Sequence, residues 1–192
     1  MRRRNGEHHA LYERQETETL MRVPVKKLRR EARLPALGSK TAAGADLYAC
    51  LDYDLVSIAC HQTKKIATGI AVEIPDGYFG AIFARSGLAT KNGLRPANCV
   101  GVIDSDYRGE VIVALHNDTD ENRVIENGDR IAQLVILPCV RAEYTEVDRL
   151  SETERGSGGF GSSGEKEMKK RGYKSGVVDN SIISDSEEGR WW

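Results

Sequence analysis

Apolar and polar positions alternate most cleanly between Ile66 and Ile74. There Ile66, Thr68, Ile70, Val72 and Ile74 share one face, and Ala67, Gly69, Ala71 and Glu73 take the other. A period of two marks a half-buried β-strand. Pro75-Asp76-Gly77 then predicts a turn, since Pro presets φ and Gly accepts a positive one, and Tyr78 to Ala84 is the returning strand. Further short strands are predicted at the start of MRVPVKKL from Met21, at Asp46 to Cys50 and at Ile131 to Leu137, with Glu143 to Val147 closing the ordered body. The run from Ile131 to Leu137 has Gln133 as its one polar residue and predicts a strand buried on both sides. Gln133 must then find partners, because an unpaired buried amide costs about 1–3 kcal/mol. Asn117 to Asn122 is a polar loop and Glu126 to Asp129 a turn; no stretch of the body predicts a helix longer than two or three turns. Many short strands at even spacing, punctuated by Gly and Pro, predict an all-β fold, a sandwich or jelly roll.

Two apolar runs flank Asp104-Ser105-Asp106: Val100, Val102 and Ile103 before it, and Val111 to Leu115 after Tyr107-Arg108-Gly109. Runs joined in this way predict a β-hairpin. A carboxylate at its throat, Asp104, with Tyr107 three residues on, can build a pocket. The backbone edge reads a flat ring, the aromatic face covers it, and the carboxylate points at what the ring carries. Alone, a D-x-D-Y stretch is more often an ordinary polar hairpin. Arg85-Ser86-Gly87 ends a predicted strand and opens a short helical segment. It offers a guanidinium, a hydroxyl and exposed N–H groups, the parts of a phosphate cradle, although R-S-G by itself is more often a plain turn. Asp46 stands in an apolar context where a turn-capping role is the ordinary explanation.

Composition narrows the function without naming it. The 192 residues suffice for one domain with a core and extra ends, and a net charge of −1 gives no overall pull toward nucleic acid or membrane. An acidic ligand must therefore be held by local Arg or Lys. Cys50, Cys60, Cys99 and Cys139 are widely spaced with no C-x-x-C pair. Three of them lie in or beside apolar runs, where a Cys acts as a small buried hydrophobe. Neither a disulfide framework nor a cysteine metal site is expected, and a reducing cytoplasm is the natural home. No apolar run approaches the roughly 18 residues of a membrane span. Arg2-Arg3-Arg4 has no apolar stretch after it, and Glu7, Glu13, Glu16 and Glu18 break any transit-peptide character, so no targeting leader is expected.

The ends differ from the body. Residues 1–20 are polar and charged and are expected to be a flexible extension to a domain spanning 21–154. Residues 155–164, RGSGGFGSSG, hold five Gly and cannot build a core, so a mobile arm is expected; its Arg155, Phe160, Ser162 and Ser163 are spaced to close over an anion and a ring. Residues 165–192 balance six basic against six acidic residues before Trp191-Trp192, and disorder is expected there, with at most a short helix from Glu165 to Arg171.

Taken in order, AGADLYA (43–49), RSGLA (85–89), GVIDSDYRGEV (101–111), GDRIAQLVI (128–136) and RGSGGFGSSG (155–164) resemble the five motifs of the homotrimeric dUTPases, over roughly residues 22 to 164. The resemblance implies hydrolysis of dUTP to dUMP and pyrophosphate, which supplies dUMP for thymidylate synthesis and keeps uracil out of DNA. It also implies a β jelly roll assembled as a homotrimer, with sites at subunit junctions that draw motifs from more than one chain. The Gly-rich arm would close over the nucleotide.

By the same resemblance, Asp104 corresponds to the carboxylate that orients and deprotonates the attacking water and meets the deoxyribose 3′-OH. Tyr107 corresponds to the aromatic packed on the deoxyribose, which leaves no room for a 2′-OH. Asn98, with the backbone around Val100 to Ile103 (Val102 and Ile103 among the binding residues), corresponds to the uracil reader, able to reject a 5-methyl group or a cytosine. Arg85, Ser86 and Gly87 correspond to phosphate contacts, and Gln133 to a residue that places phosphate or water. In the arm, Arg155, Ser162 and Ser163 would reach the β- and γ-phosphates, Phe160 would stack on the uracil, and Gly161 is a further expected substrate contact. Asp46 corresponds to an acid near the metal-phosphate region, acting through water on an Mg²⁺ held mainly by the three phosphates. The implied partners are dUTP and two further copies of the chain, with no nucleic acid and no membrane. The 28 residues after Gly164 and the 20 before Met21 lie outside the family pattern, and neither removes a site residue.

Two other functions compete. A dCTP deaminase resembles this family in fold, but deamination needs a Glu base near the pyrimidine C4 and the uracil-reading stretch has none. A non-catalytic, nucleotide-dependent regulator would not need Asp104, Tyr107, Arg155 and Phe160 together.

Overall fold

The short apolar runs become twelve strands and one helix within residues 20–159, the part of the chain that the computed structural model describes. In chain order they are β1 (Val25–Lys27), β2 (Ala36–Leu37), β3 (Ala45–Tyr48), β4 (Leu55–Ile58), β5 (Thr63–Ala67), β6 (Ile70–Val72) and β7 (Tyr78–Phe83). Helix α1 (Ser86–Asn92) follows, then β8 (Leu94–Pro96), β9 (Gly101–Ile103), β10 (Ile112–Asn117), β11 (Arg123–Glu126) and β12 (Arg130–Pro138). A five-stranded sheet runs β2-β3-β12-β7-β9 and a three-stranded one β5-β10-β8; β1-β6 and β11-β4 form two-stranded ribbons. Every pairing is antiparallel. This is the all-β architecture that the strand spacing predicts, and all of it lies in the first of two units, which ends at Ala142.

Leu47, Ile66, Ile74, Leu115, Ile125 and Ile131 are among the fully buried side chains of one apolar cluster drawn from all four sheets. Asn117 is buried with them, yet no polar atom of its amide is stranded. Its Nδ2 donates to the carbonyls of Ile58, Ala59 and Glu121, and its Oδ1 accepts from the Thr119 N–H and hydroxyl. That network fixes the polar loop predicted after Asn117.

Four expectations are corrected. The alternating run from Ile66 to Ile74 is two strands rather than one, because Gly69 adopts φ +69° and turns the chain. β5 pairs with β10 whereas β6 pairs with β1. The predicted face is nonetheless buried from end to end, with Thr68 satisfied by donating to the Val111 carbonyl at 2.5 Å. Second, the runs on either side of Asp104 do not form a hairpin. β9 pairs with β7 and β10 with β5 and β8, so the chain crosses between sheets here. The turn itself is present, closed by the Tyr107 N–H on the Asp104 carbonyl at 3.2 Å, and the Val111 N–H then bonds to the Ile70 carbonyl, which carries the chain to the other sheet. Third, β12 is buried on one face through Ile131, Ala132 and Leu134, while Gln133 and Val135 opposite are half-buried. Fourth, of the cysteines only Cys50 is buried; Cys60, Cys99 and Cys139 sit at turns and strand ends, exposed, and all four are free thiols.

Candidate active site

Two groups of predicted site residues form at opposite ends of β7. At its C-terminal end the chain stays extended through Arg85 (φ −85°, ψ 128°) and enters α1 at Ser86 and Gly87, both exposed. Asp46 lies two strands across, on β3, directly opposite Gln133 of β12, which in turn faces Phe83. Its carboxylate is engaged on both oxygens. Arg85 Nε donates to Oδ1 at 2.8 Å and Arg130 Nη1 to Oδ2 at 3.2 Å. The Gln133 amide finds the partner its burial requires by donating to the Ala84 carbonyl at 2.9 Å, which pins the backbone just before Arg85. Asp46 is therefore no turn cap but the hub of two arginines, 14% exposed.

Arg130 is the residue that the sequence reading missed, although it stands inside the fourth motif. Arg130 and Gln133 are three apart, and in a regular strand they would face opposite ways. A β-bulge between Arg130 and Ala132 sets Arg130 opposite Tyr48 and Gln133 opposite Asp46, which puts both on one face. The sequence signal was the consecutive pair Ile131-Ala132, both fully buried where alternation allows one.

At the other end lies the turn of the third motif, from Asp104 to Tyr107; β9 leads to it along β7, starting with Gly101 opposite Ile82, so Asn98 stands toward the Arg85 end. Asn98 precedes a reversal in which Cys99 takes φ +57° and the Val100 N–H bonds to the Asn98 carbonyl at 2.5 Å. β9 follows as an edge strand with Val102 exposed and Ile103 half-buried, so its outer backbone edge is free of strand partners in the sheet. Asp104 stands exposed where β9 ends and lines an open cleft of ≈ 500 Å³ with Tyr78, Asp106 and Arg141. The Tyr107 hydroxyl donates to the Glu110 carbonyl at 3.1 Å, and the ring lies over Gly109, where a Cβ would meet the phenol oxygen at 2.3 Å. Arg108 closes the turn from beneath by donating to the Ser105 and Tyr107 carbonyls.

The register fixes how far apart these groups are within one chain. Ile103 pairs with Gly80, so Asp104 falls beside Phe79, six residues from Arg85. Six residues of extended chain span roughly 20 Å. Arg155 belongs to the second unit, where its Nε donates to the Gly158 carbonyl at 2.8 Å and it is exposed. Phe160, Gly161, Ser162 and Ser163 lie outside the described residues, as do residues 1–19 and the tail from 165.

Comparison with known proteins shows the family. The family model described as dUTPase matches residues 30–164, which span all five motifs. The chain belongs to the dUTPase family. It is 54% identical over 133 residues to a deoxyuridine 5′-triphosphate nucleotidohydrolase of Desulfitobacterium hafniense, covering 69% of this chain and 87% of that one. A Hydrogenobaculum protein of the same name is 48% identical over 146 residues, 76% of this chain and all of the relative. Among solved structures, the dUTPase of Staphylococcus bacteriophage 80alpha with dUpNHpp superimposes with a TM-score of 0.68 at 33% identity, covering 74% of this chain and 98% of that one. A mutant dUTPase from phage phi11 of S. aureus, described as coordinating a structural Mg(II) ion, gives 0.62 at 26% identity, covering 69% and 100%. As a dUTPase, the chain is a hydrolase acting on dUTP.

Proposed function

We propose that this dUTPase converts dUTP to dUMP and pyrophosphate at sites shared between copies, with Asp104 as general base. An exposed carboxylate at a strand end can order a water and take its proton during attack on the α-phosphorus, a role worth about 10²–10⁴-fold in rate. Asn98 and the free edge of β9, at Val102 and Ile103, would read the uracil, and Tyr107 would lie against the deoxyribose. Arg85, Ser86, Gly87 and Gln133 would hold the phosphate chain, with the arm residues Arg155, Phe160, Gly161, Ser162 and Ser163 closing over it. The reaction then depends on positioning and charge neutralisation rather than on a covalent intermediate.

The observation that carries this reading is the span of β7. A base must come within about 3 Å of the proton it takes, directly or through one water. The roughly 20 Å of extended chain between Asp104 and Arg85 keeps them out of one compact site in a single chain. A base from one copy and a phosphate clamp from another resolve this, which is the homotrimer that the family resemblance implies.

Mg²⁺ fits the donor set as a substrate-bound ion. No three metal-ligating side chains converge among the described residues, and both oxygens of Asp46 are taken by arginines. The ion would be held mainly by the phosphates and touched by Asp46 through water, and when bound it would neutralise charge on the leaving pyrophosphate. Four free thiols suit a reducing cytoplasm. The direct experiment measures pyrophosphate release from dUTP with Mg²⁺ beside dTTP, dCTP and UTP. Release from dUTP alone supports the reading, and ammonia from dCTP would replace it with a deaminase.

A further inference from the structure

The second guanidinium on Asp46 has no place in the roles above. Arg85 offers its Nε to Asp46 and keeps its outer nitrogens at the surface, one of them 3.4 Å from the Arg130 carbonyl. Arg130 reaches Asp46 through a single nitrogen, and its side chain is 53% exposed against 25% for Arg85. Two guanidinium charges against one carboxylate leave the cluster net positive, at the strand end where Ser86 and Gly87 present the start of α1. The bulge in β12 is what brings Arg130 there. Without it the side chain would point to the face of the buried Leu134.

We propose that Arg130 is a second phosphate-contacting arginine, and that Asp46 is the positioning residue that holds Arg85 and Arg130 as one forked clamp for the polyphosphate. This deepens the dUTP reading and rests on it for the nucleotide, but the clamp itself is a site for a condensed phosphate. One carboxylate shared by two guanidiniums fixes their spacing and keeps their like charges side by side. The remaining N–H groups of each can then meet successive phosphates, with the planar geometry that suits arginine to this anion.

Position and charge make opposite predictions at Asp46. As a mere local negative charge, Asp46 would oppose anion binding, and Asp46→Asn would tighten it. As the part that holds the fork, Asp46→Asn weakens it, because an amide offers one acceptor where the carboxylate offers two.

The test uses the full chain with Arg130→Ala, Arg130→Lys and Asp46→Asn, each first shown to keep its thermal transition. Calorimetric titration with inorganic tripolyphosphate in EDTA, which removes the proposed water-mediated Mg²⁺ contact of Asp46, is set beside steady-state dUTP hydrolysis in Mg²⁺. For Arg130→Ala the expected result is a loss of about tenfold in tripolyphosphate affinity, the scale of one charge-assisted contact. A matching rise in KM with kcat within about threefold should accompany it, as for an interaction made equally in ground and transition states. Arg130→Lys should restore part of the affinity, and Asp46→Asn should weaken tripolyphosphate binding. Unchanged affinity in Arg130→Ala, tighter binding in Asp46→Asn, or no tripolyphosphate binding by the parent chain would each overturn the clamp. A parent chain that binds tripolyphosphate through Arg130 but leaves dUTP intact would uphold the clamp and reject the proposed reaction.

Discussion

Asp104 and Tyr107 sit four positions inclusive from one another on a single turn, and their tasks differ enough to be separated by substitution. Asp104→Asn keeps the size and the hydrogen-bonding reach of the side chain but removes the base. Turnover of dUTP should fall by at least about 10²-fold while the affinity for a non-hydrolysable analogue stays near that of the parent. Near-normal turnover would move the base to another residue. Tyr107 is controlled from Gly109. A methyl group there would lie 2.3 Å from the phenol oxygen, so Gly109→Ala must displace the ring. If the ring is what excludes a 2′-OH, the ratio of UTP to dUTP hydrolysis should rise in Gly109→Ala, with dUTP turnover less affected than in Asp104→Asn. A ratio that stays at the parent value would separate Tyr107 from sugar selection.

At the scale of elements, Gly69 decides more topology than any other single residue. Its positive φ splits the alternating run into β5 and β6, which serve two different sheets. A Cβ there would stand 2.8 Å from both the Ala32 methyl and the Cys50 sulfur. Gly69→Ala combines left-handed strain of about 1–2 kcal/mol with core overpacking of about 1–3 kcal/mol. Denaturant unfolding should show a loss on the order of 2–5 kcal/mol, and a loss within experimental error would mean that the turn relaxes freely. The same position shows what the sequence could and could not reveal. Alternation identified which residues of 66–74 are buried, and Pro75-Asp76-Gly77 identified the reversal into β7, closed by the Tyr78 N–H on the Pro75 carbonyl. Both are local properties of the chain. Strand partners are not local: proximity in sequence suggests β9 against β10, yet packing sets it against β7. Of the candidate site, Arg85, Asp46 and Gln133 were legible through their motifs, but their joint geometry was not. The bulge that adds Arg130 depends on how β12 meets β3, and periodicity alone registers only the doubled Ile131-Ala132.

At the scale of the whole molecule, the proposed junction site makes β7 a spacer between the base and the phosphate clamp. With Asp104 beside Phe79 and Arg85 two residues past Phe83, a single chain would, on the proposed reading, offer the base at one end of the strand and the clamp at the other. This predicts complementation between defective copies. Asp104→Asn and Arg85→Ala chains should each be nearly inactive alone. Denatured together in equal amounts and refolded, they should form mixed assemblies in which some sites draw an intact base from one copy and an intact clamp from its neighbour. With random mixing in a closed symmetric trimer, each requirement is met half the time, so about a quarter of the sites should be restored. Chromatography with light scattering should place that activity in a species of three chains. If base and clamp instead came from the same chain, every site in the mixture would carry one lesion or the other, and mixing would restore nothing. Recovery of pyrophosphate release on mixing therefore distinguishes a shared site from a self-contained one without any change to the substrate, and its absence would reject the junction-site reading even if the protein is trimeric.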